Sequence, residues 1–235
     1  MAEKLQREIA ELIGQARGLL LDYSNLGLDD IWLPEPGTLA AGGEANGDWC
    51  RSVPETLETI RTDLGDCQRC KLCRERTQIV FGVGNPQARL VLVGEAPGRE
   101  EDRRGEPFVG EAGRLLDRIL LAMGLQRSDV YICNVIKCRP PGNRDPEEDE
   151  VAACEPFLRR QLKVIAPEVI LTLGRYAAQA LLRDGSPVGR LRGNWRTYQD
   201  IPLMPTYHPA YLLRNPEKKR DVWEDVKQVV RRLRS

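Results

Sequence analysis

The sequence predicts an α/β fold, a parallel sheet covered by helices on both faces, and three observations predict it. Short apolar runs alternate along the chain with stretches of helical periodicity, the pattern of strand–helix–strand units. Three of the four runs are β-branched or Leu-rich without polar alternation, as strands buried on both faces require. The residues best suited to chemistry fall just after these runs, where the carboxyl ends of parallel strands place a ligand site.

Element by element, residues 4–23 carry Leu5, Ile9, Leu12, Ala16, Leu19, Leu20 and Tyr23 at helical spacing, so an amphipathic helix is expected there. The stretch LPEPGTLAAGGEANGD that follows is rich in Gly, Ala and Pro and reads as a linker. Residues 1–52 are therefore expected to form a helical extension with its linker, and residues 53–235 a single domain. Candidate strands span 90–93, 130–135, 169–173 and 203–206. Candidate helices span 113–123, 146–165, 174–182 and 216–233, the first with Leu116, Ile119, Leu120 and Met123 on one face. No internal repeat is visible.

The chain has 235 residues, 41% hydrophobic and 30% charged. That balance excludes a disordered chain and allows one sizeable domain plus an appendage. No run of about 18 apolar residues predicts a membrane span, and the acidic, helix-patterned start does not resemble a secretion leader. A cytoplasmic protein is expected. The net charge is zero but unevenly spread. Residues 1–66 hold 5 Lys/Arg and 13 Asp/Glu, whereas 185–235 hold 11 and 5. A basic body behind a neutral total permits contact with a polyanion.

Seven cysteines, Cys50, Cys67, Cys70, Cys73, Cys133, Cys138 and Cys154, are an odd number and argue against a disulfide framework. Cys67-x2-Cys70 has the spacing of a metal or cluster pair, and Cys70-x2-Cys73 is equally good. Cys138 and Cys154, with 15 residues between them, are too far apart for a second zinc knuckle and suit a cluster that holds a loop and a helix to the core. All-thiolate ligation leaves zinc and iron–sulfur both open. Cys133 reads as a core residue and Cys50 as a free thiol.

Three stretches stand out: GEAPGREEDRRGEPFVGEAGRLLD (94–117), YICNVIKCRPPGNRDP (131–146) and TYHPAYLLRNPEKK (206–219). Together, in order and at matching spacing from Cys67 onward, they resemble the family 4 uracil-DNA glycosylases, the iron–sulfur branch of that superfamily. The resemblance implies a three-layer α/β/α sandwich with a central four-stranded parallel sheet. It also implies a [4Fe-4S] cluster held by Cys67, Cys70, Cys138 and Cys154, with Cys73 left out. The cluster would be structural, its ligands lying away from the pocket. The implied partner is uracil-containing DNA, bound by a monomer associated with the nucleoid. The resemblance is silent on the first ~50 residues, whose helix offers a surface for a protein partner.

Cutting an N-glycosidic bond in DNA requires the base to leave the stack. Phe108 can supply a stacking face. Asn134 offers a donor and an acceptor side by side, matching O4 and N3–H of uracil and opposing cytosine. His208, the sole histidine, can donate to uracil O2 and stabilise the departing anion. Glu95 can contact uracil, block a 5-methyl group or stabilise the cationic sugar. Ala96 stands where family 1 enzymes carry an aspartate, so a water held by backbone is the alternative to a carboxylate base. Glu100, Glu101 and Asp102 read as a solvated capping cluster. Leu212 is a candidate wedge for the vacated base gap and Arg214 a phosphate contact. No lysine stands in an evident nucleophile position, so simple hydrolysis to an abasic site is expected. Two alternatives are an inactive iron–sulfur nucleic-acid-binding protein and a glycosylase that stays covalently attached to its product. The second is disfavoured because the loop GREEDRRGEPFVG has no histidine.

Overall fold

In a computed structural model, which describes residues 55–234, six strands form one mixed sheet: β1 (Val83–Gly84), β2 (Leu90–Gly94), β3 (Tyr131–Asn134), β4 (Val169–Leu173), β5 (Arg196–Tyr198) and β6 (Ile201–Thr206). Their order is β1-β3-β2-β4-β6-β5. The central four, β3-β2-β4-β6, are all parallel, in agreement with the four strands the sequence predicts. The two edges, β1 and β5, run antiparallel to their neighbours. With two and three residues they are too short to leave a periodic signal.

The central strands bury both faces because their side chains alternate between two cores. Val91, Val93, Cys133, Ile170 and Leu203 point into one; Leu90, Leu92, Ile132, Leu171 and Met204 point into the other. Helix α3 (Glu111–Ala122), helix α7 (Pro209–Arg214) and helix α8 (Lys219–Arg234) cover the second face. Helix α4 (Glu148–Ile165) and helix α5 (Arg175–Leu182) cover the first through Leu158, Leu162, Ala177 and Leu181. Each of these leucines contributes about 1.5–3 kcal/mol when fully buried. Helix α1 (Leu57–Leu64) packs Ile60 and Leu64 against Phe81 and, from α4, Phe157. The short helices α2 (Arg99–Arg104) and α6 (Val188–Leu191) complete the set. The architecture is the three-layer sandwich expected.

Register places the ends of the parallel strands side by side: Gly94 is level with Asn134, and Leu173 with Thr206. Glu95, Gly174, Tyr207 and His208 therefore leave the sheet along one rim. Among the described residues, no helix is long and apolar enough to cross a membrane. The helix expected at 4–23, the linker, Cys50 and the boundary at 52/53 lie outside the described residues.

Candidate active site

The carboxyl rim opens into a cavity of about 440 Å³, and Glu95, Ala96, Phe108, Asn134 and His208 all line it. The structure thus brings together the five residues expected to handle a base. Asn134 closes β3 and is 1% exposed. Its backbone carbonyl accepts from the Lys137 ammonium at 2.8 Å, but its side-chain Oδ1 is enclosed without any partner. An orphaned acceptor of this kind costs about 1–3 kcal/mol, and in a cavity it marks where a ligand donor belongs.

Gly94 makes the convergence of Asn134 and Phe108 possible. A Cβ there would overlap Asn134 Oδ1 and stand 2.6 Å from Phe108 Cζ. Phe108 itself sits in the left-handed region at φ 54°, a conformation uncommon for a bulky residue and held only where its surroundings fix it. Here they do. The Arg127 guanidinium donates to the Pro107 carbonyl at 3.1 Å and to the Phe108 carbonyl, and Asp117 holds Arg127 at 2.6 Å. Glu101 Oε1 accepts from the amides of Val109 and Gly110, both at 2.9 Å. Gly113 leaves room for the Phe108 carbonyl, which a Cβ would overlap.

His208 caps α7. Its Nδ1 accepts from the Ala210 amide at 3.1 Å, so the proton of the neutral ring resides on Nε2. The imidazole ring lies 5.5 Å from the Phe108 ring, centroid to centroid, at 30°. Burial pushes its pKa down to about 4, with Glu101 opposing and Arg214 reinforcing the shift. The ring is therefore a neutral donor at pH 7. Glu95 moves the other way. Burial first, then the nearby Asp145 charge, raise its pKa to about 7 against the pull of Arg175.

The cysteines lie beyond the cavity wall. Cys138 and Cys154 are buried, and Cys67, Cys70 and Cys73 half-buried. Cys154 feels the charges of Cys70 and Cys67, and Cys138 those of Cys154 and Cys70. Cys73 enters only through Cys70. Three N–H groups are aimed at sulfur: Arg69 Nη1 at Cys67 (3.6 Å), Arg76 Nη1 at Cys138 (3.6 Å) and the Lys137 amide at Cys154 (3.3 Å). Burial raises the Cys138 thiol to about 12, so on its own it stays protonated. N–H donors pointing at three of these sulfurs fit an anionic thiolate group there. Among the described residues no three His, Cys, Asp or Glu side chains are grouped tightly enough for a single metal ion. Cys133, read as core, is fully buried.

Two expectations are corrected. Leu212 is 1% exposed and packs into the core beneath α7, so it does not reach a base gap; its neighbour Leu213 is 39% exposed. Helical phase decides which of two adjacent leucines faces out, and a six-residue helix gives too little pattern to read it. The Glu100–Asp102 cluster is not simply solvated. Asp102 is 4% exposed and accepts from the Thr77 amide at 2.9 Å, while Glu101 holds the Phe108 loop. Arg214 lines the cavity rim. Sequence reasoning missed Arg127, Glu101 and Lys137. The first two act on backbone groups, and Lys137 stands unremarked within KCRPP.

Residues 81–227 match the family described as the uracil DNA glycosylase superfamily. A type-4 uracil-DNA glycosylase of Thermotoga maritima is 46% identical over 181 residues, covering 74% of this chain and 93% of the relative. One of Sulfurisphaera tokodaii is 44% identical over 184 residues, covering 74% and 84%. A type-5 uracil-DNA glycosylase of Pyrobaculum aerophilum is 31% identical over 166 residues, covering 63% and 72%.

Proposed function

The chain belongs to the type-4 uracil-DNA glycosylases of the uracil DNA glycosylase superfamily, and from that membership we propose that it hydrolyses the N-glycosidic bond of uracil in DNA, leaving an abasic site. This is the opening step of base excision repair. The observation that carries the reading is the enclosed, unpartnered Oδ1 of Asn134 beside the Phe108 ring.

An extruded uracil stacks on Phe108, an interaction of about 1–3 kcal/mol. Asn134 Oδ1 accepts from uracil N3–H and its amide nitrogen donates to O4. Cytosine reverses both partners and leaves the amide unmatched. As the bond from C1′ to N1 lengthens, its electrons pass to the base, and charge builds on O2. The neutral imidazole of His208 donates its Nε2–H to that oxygen without giving up the proton. One such preorganised donor is worth about 2.7–4 kcal/mol of barrier. The sugar develops oxocarbenium character, which the Glu95 carboxylate stabilises. Water adds to C1′ and loses its proton to solvent; Ala96 offers no carboxylate to take it. Among the described residues no lysine lines the cavity, which supports hydrolysis without a covalent sugar intermediate or strand cleavage.

Outside the pocket, Arg214 contacts phosphate, and the exposed Leu213 fills the gap left in the stack. Cys67, Cys70, Cys138 and Cys154 would hold a [4Fe-4S] cluster, which would supply no step of the reaction and would fasten the loop carrying Pro140 to Asp145 along the cavity. The enzyme acts as a monomer on chromosomal DNA in the cytoplasm.

The test is release of free uracil from a single-stranded oligonucleotide by the iron-loaded protein. Wild type is expected to release it, and His208→Ala to be slower by about 10²–10³-fold. An iron-loaded wild type that leaves uracil in place would refute the reading.

A further inference from the structure

A second cavity of about 410 Å³ adjoins the first and shares His208 and Tyr211 with it. Its opposite wall is Gly174 and Arg175, where α5 begins, and Pro187 to Gly189, where α6 begins. Its floor is an aromatic pair: Tyr207 and Tyr211 are stacked, ring centroids 5.0 Å apart at 28°. Both rings are half-buried, their inner edges packed on the core. The pair is held rigidly. The Arg192 guanidinium lies 5.6 Å from the Tyr207 centroid and is anchored to the fully buried Asp225 at 2.9 and 2.5 Å. Asp225 also accepts from the Thr206 hydroxyl at 2.6 Å, fixing the strand end that carries Tyr207.

We propose that this second cavity is a nucleobase subsite, taking the base directly next to the extruded uracil, stacked on the Tyr207–Tyr211 pair. The inference rests on the proposed function. A strand whose one nucleotide sits in the first cavity must leave it over a wall. The shared wall of His208 and Tyr211 leads straight into the second. A base whose neighbour has swung out has lost a stacking partner on one face, and an aromatic pair replaces it. Every base has such a face, so the subsite is indifferent to sequence. The cavity is the size of a single-ligand pocket.

Two oligonucleotides carrying uracil with an abasic tetrahydrofuran spacer on its 5′ or its 3′ side test this. One of the two is expected to lower wild-type kcat/KM by about 10-fold, mainly through KM. Tyr207→Leu is expected to lose about as much on the complete oligonucleotide and nothing further on that spacer, whereas Tyr207→Phe behaves as wild type. A 2-aminopurine at the same position is expected to be quenched on binding wild type but not Tyr207→Leu. Normal uracil release with neither spacer having an effect would overturn the subsite, as would spacer and Tyr207→Leu losses that multiply. The spacer experiment on wild type stands even if the leucine variant fails to fold. Absence of any uracil release overturns the proposed function instead.

Discussion

Glu95 and His208 share one cavity and are driven apart by the same burial, one to about 7 and the other to about 4. Each is thereby biased toward its neutral form. His208 stays uncharged throughout the range in which Glu95 ionises, so the activity profile reports the carboxyl alone. If the Glu95 carboxylate stabilises the sugar cation, kcat/KM rises with pH through about 7 and levels off above it. Glu95→Gln is expected to lower the plateau and flatten the rise; a wild-type profile that falls through pH 7 would assign the work to the neutral acid. Stability moves oppositely. A carboxyl raised in the folded state stabilises the fold fully below its unfolded value, near 4.5, and that contribution is lost as pH climbs through about 7. Glu95→Gln therefore melts like wild type at pH 4.5 and above it at pH 8.5, by about 2 kcal/mol after allowance for solvent. At this scale the sequence is legible where a polar residue directly follows a buried strand, as with Glu95 and Asn134. It is not legible where adjacent residues compete for one role, as with Leu212 and Leu213.

The segment from Gly105 to Gly110 shows how an element without regular structure is made rigid. Its left-handed Phe108 is fixed from three sides: Arg127 on the carbonyls, Glu101 on the amides of Val109 and Gly110, and the missing Cβ of Gly113. Arg127→Leu is expected to keep the fold and to lower kcat/KM for uracil by roughly 10–100-fold, since misplacement of about 1 Å in a positioning group is enough. Gly113→Ala is expected to be worse, because the methyl displaces the Phe108 carbonyl itself. Steady-state kinetics beside a melting curve separates the two effects; equal losses of stability and activity in Arg127→Leu would deny it a positioning role. None of this can be read in the sequence, because the contacts run between backbone groups and side chains 8 to 20 positions away. The parallel strands are legible because burial on both faces leaves an unbroken apolar run. The edge strands β1 and β5 pair through too few residues to leave one.

Across the whole molecule, a cluster on Cys67, Cys70, Cys138 and Cys154, as proposed, would tie the segment after α1 to α4 and the loop before it. Lys137 connects this region to the pocket: its amide donates to Cys154, and its ammonium to the Asn134 carbonyl and, at 2.6 Å, to Gln161. Loss of one ligand removes a constraint that closes a long stretch of chain, and binding energy at such a site is folding energy. Cys138→Ser is expected to lower the melting temperature by about 6–12 °C, on the order of 3 kcal/mol, and to lose iron absorbance in parallel with uracil release. Iron lost at an unchanged melting temperature would contradict a structural cluster. At this scale the sequence shows Cys67, Cys70 and Cys73 in a tight run, with Cys138 and Cys154 far along the chain from it. What brings them together is the sheet, which returns residue 138 and α4 to the segment that begins at residue 67.

The bond from the Ala210 amide to His208 Nδ1 fixes one tautomer on the chain's one histidine. Nitrogen-15 labelling of histidine would thus yield a spectrum from a solitary ring, readable without assignment, whose protonated nitrogen directly reports the arrival of an acceptor.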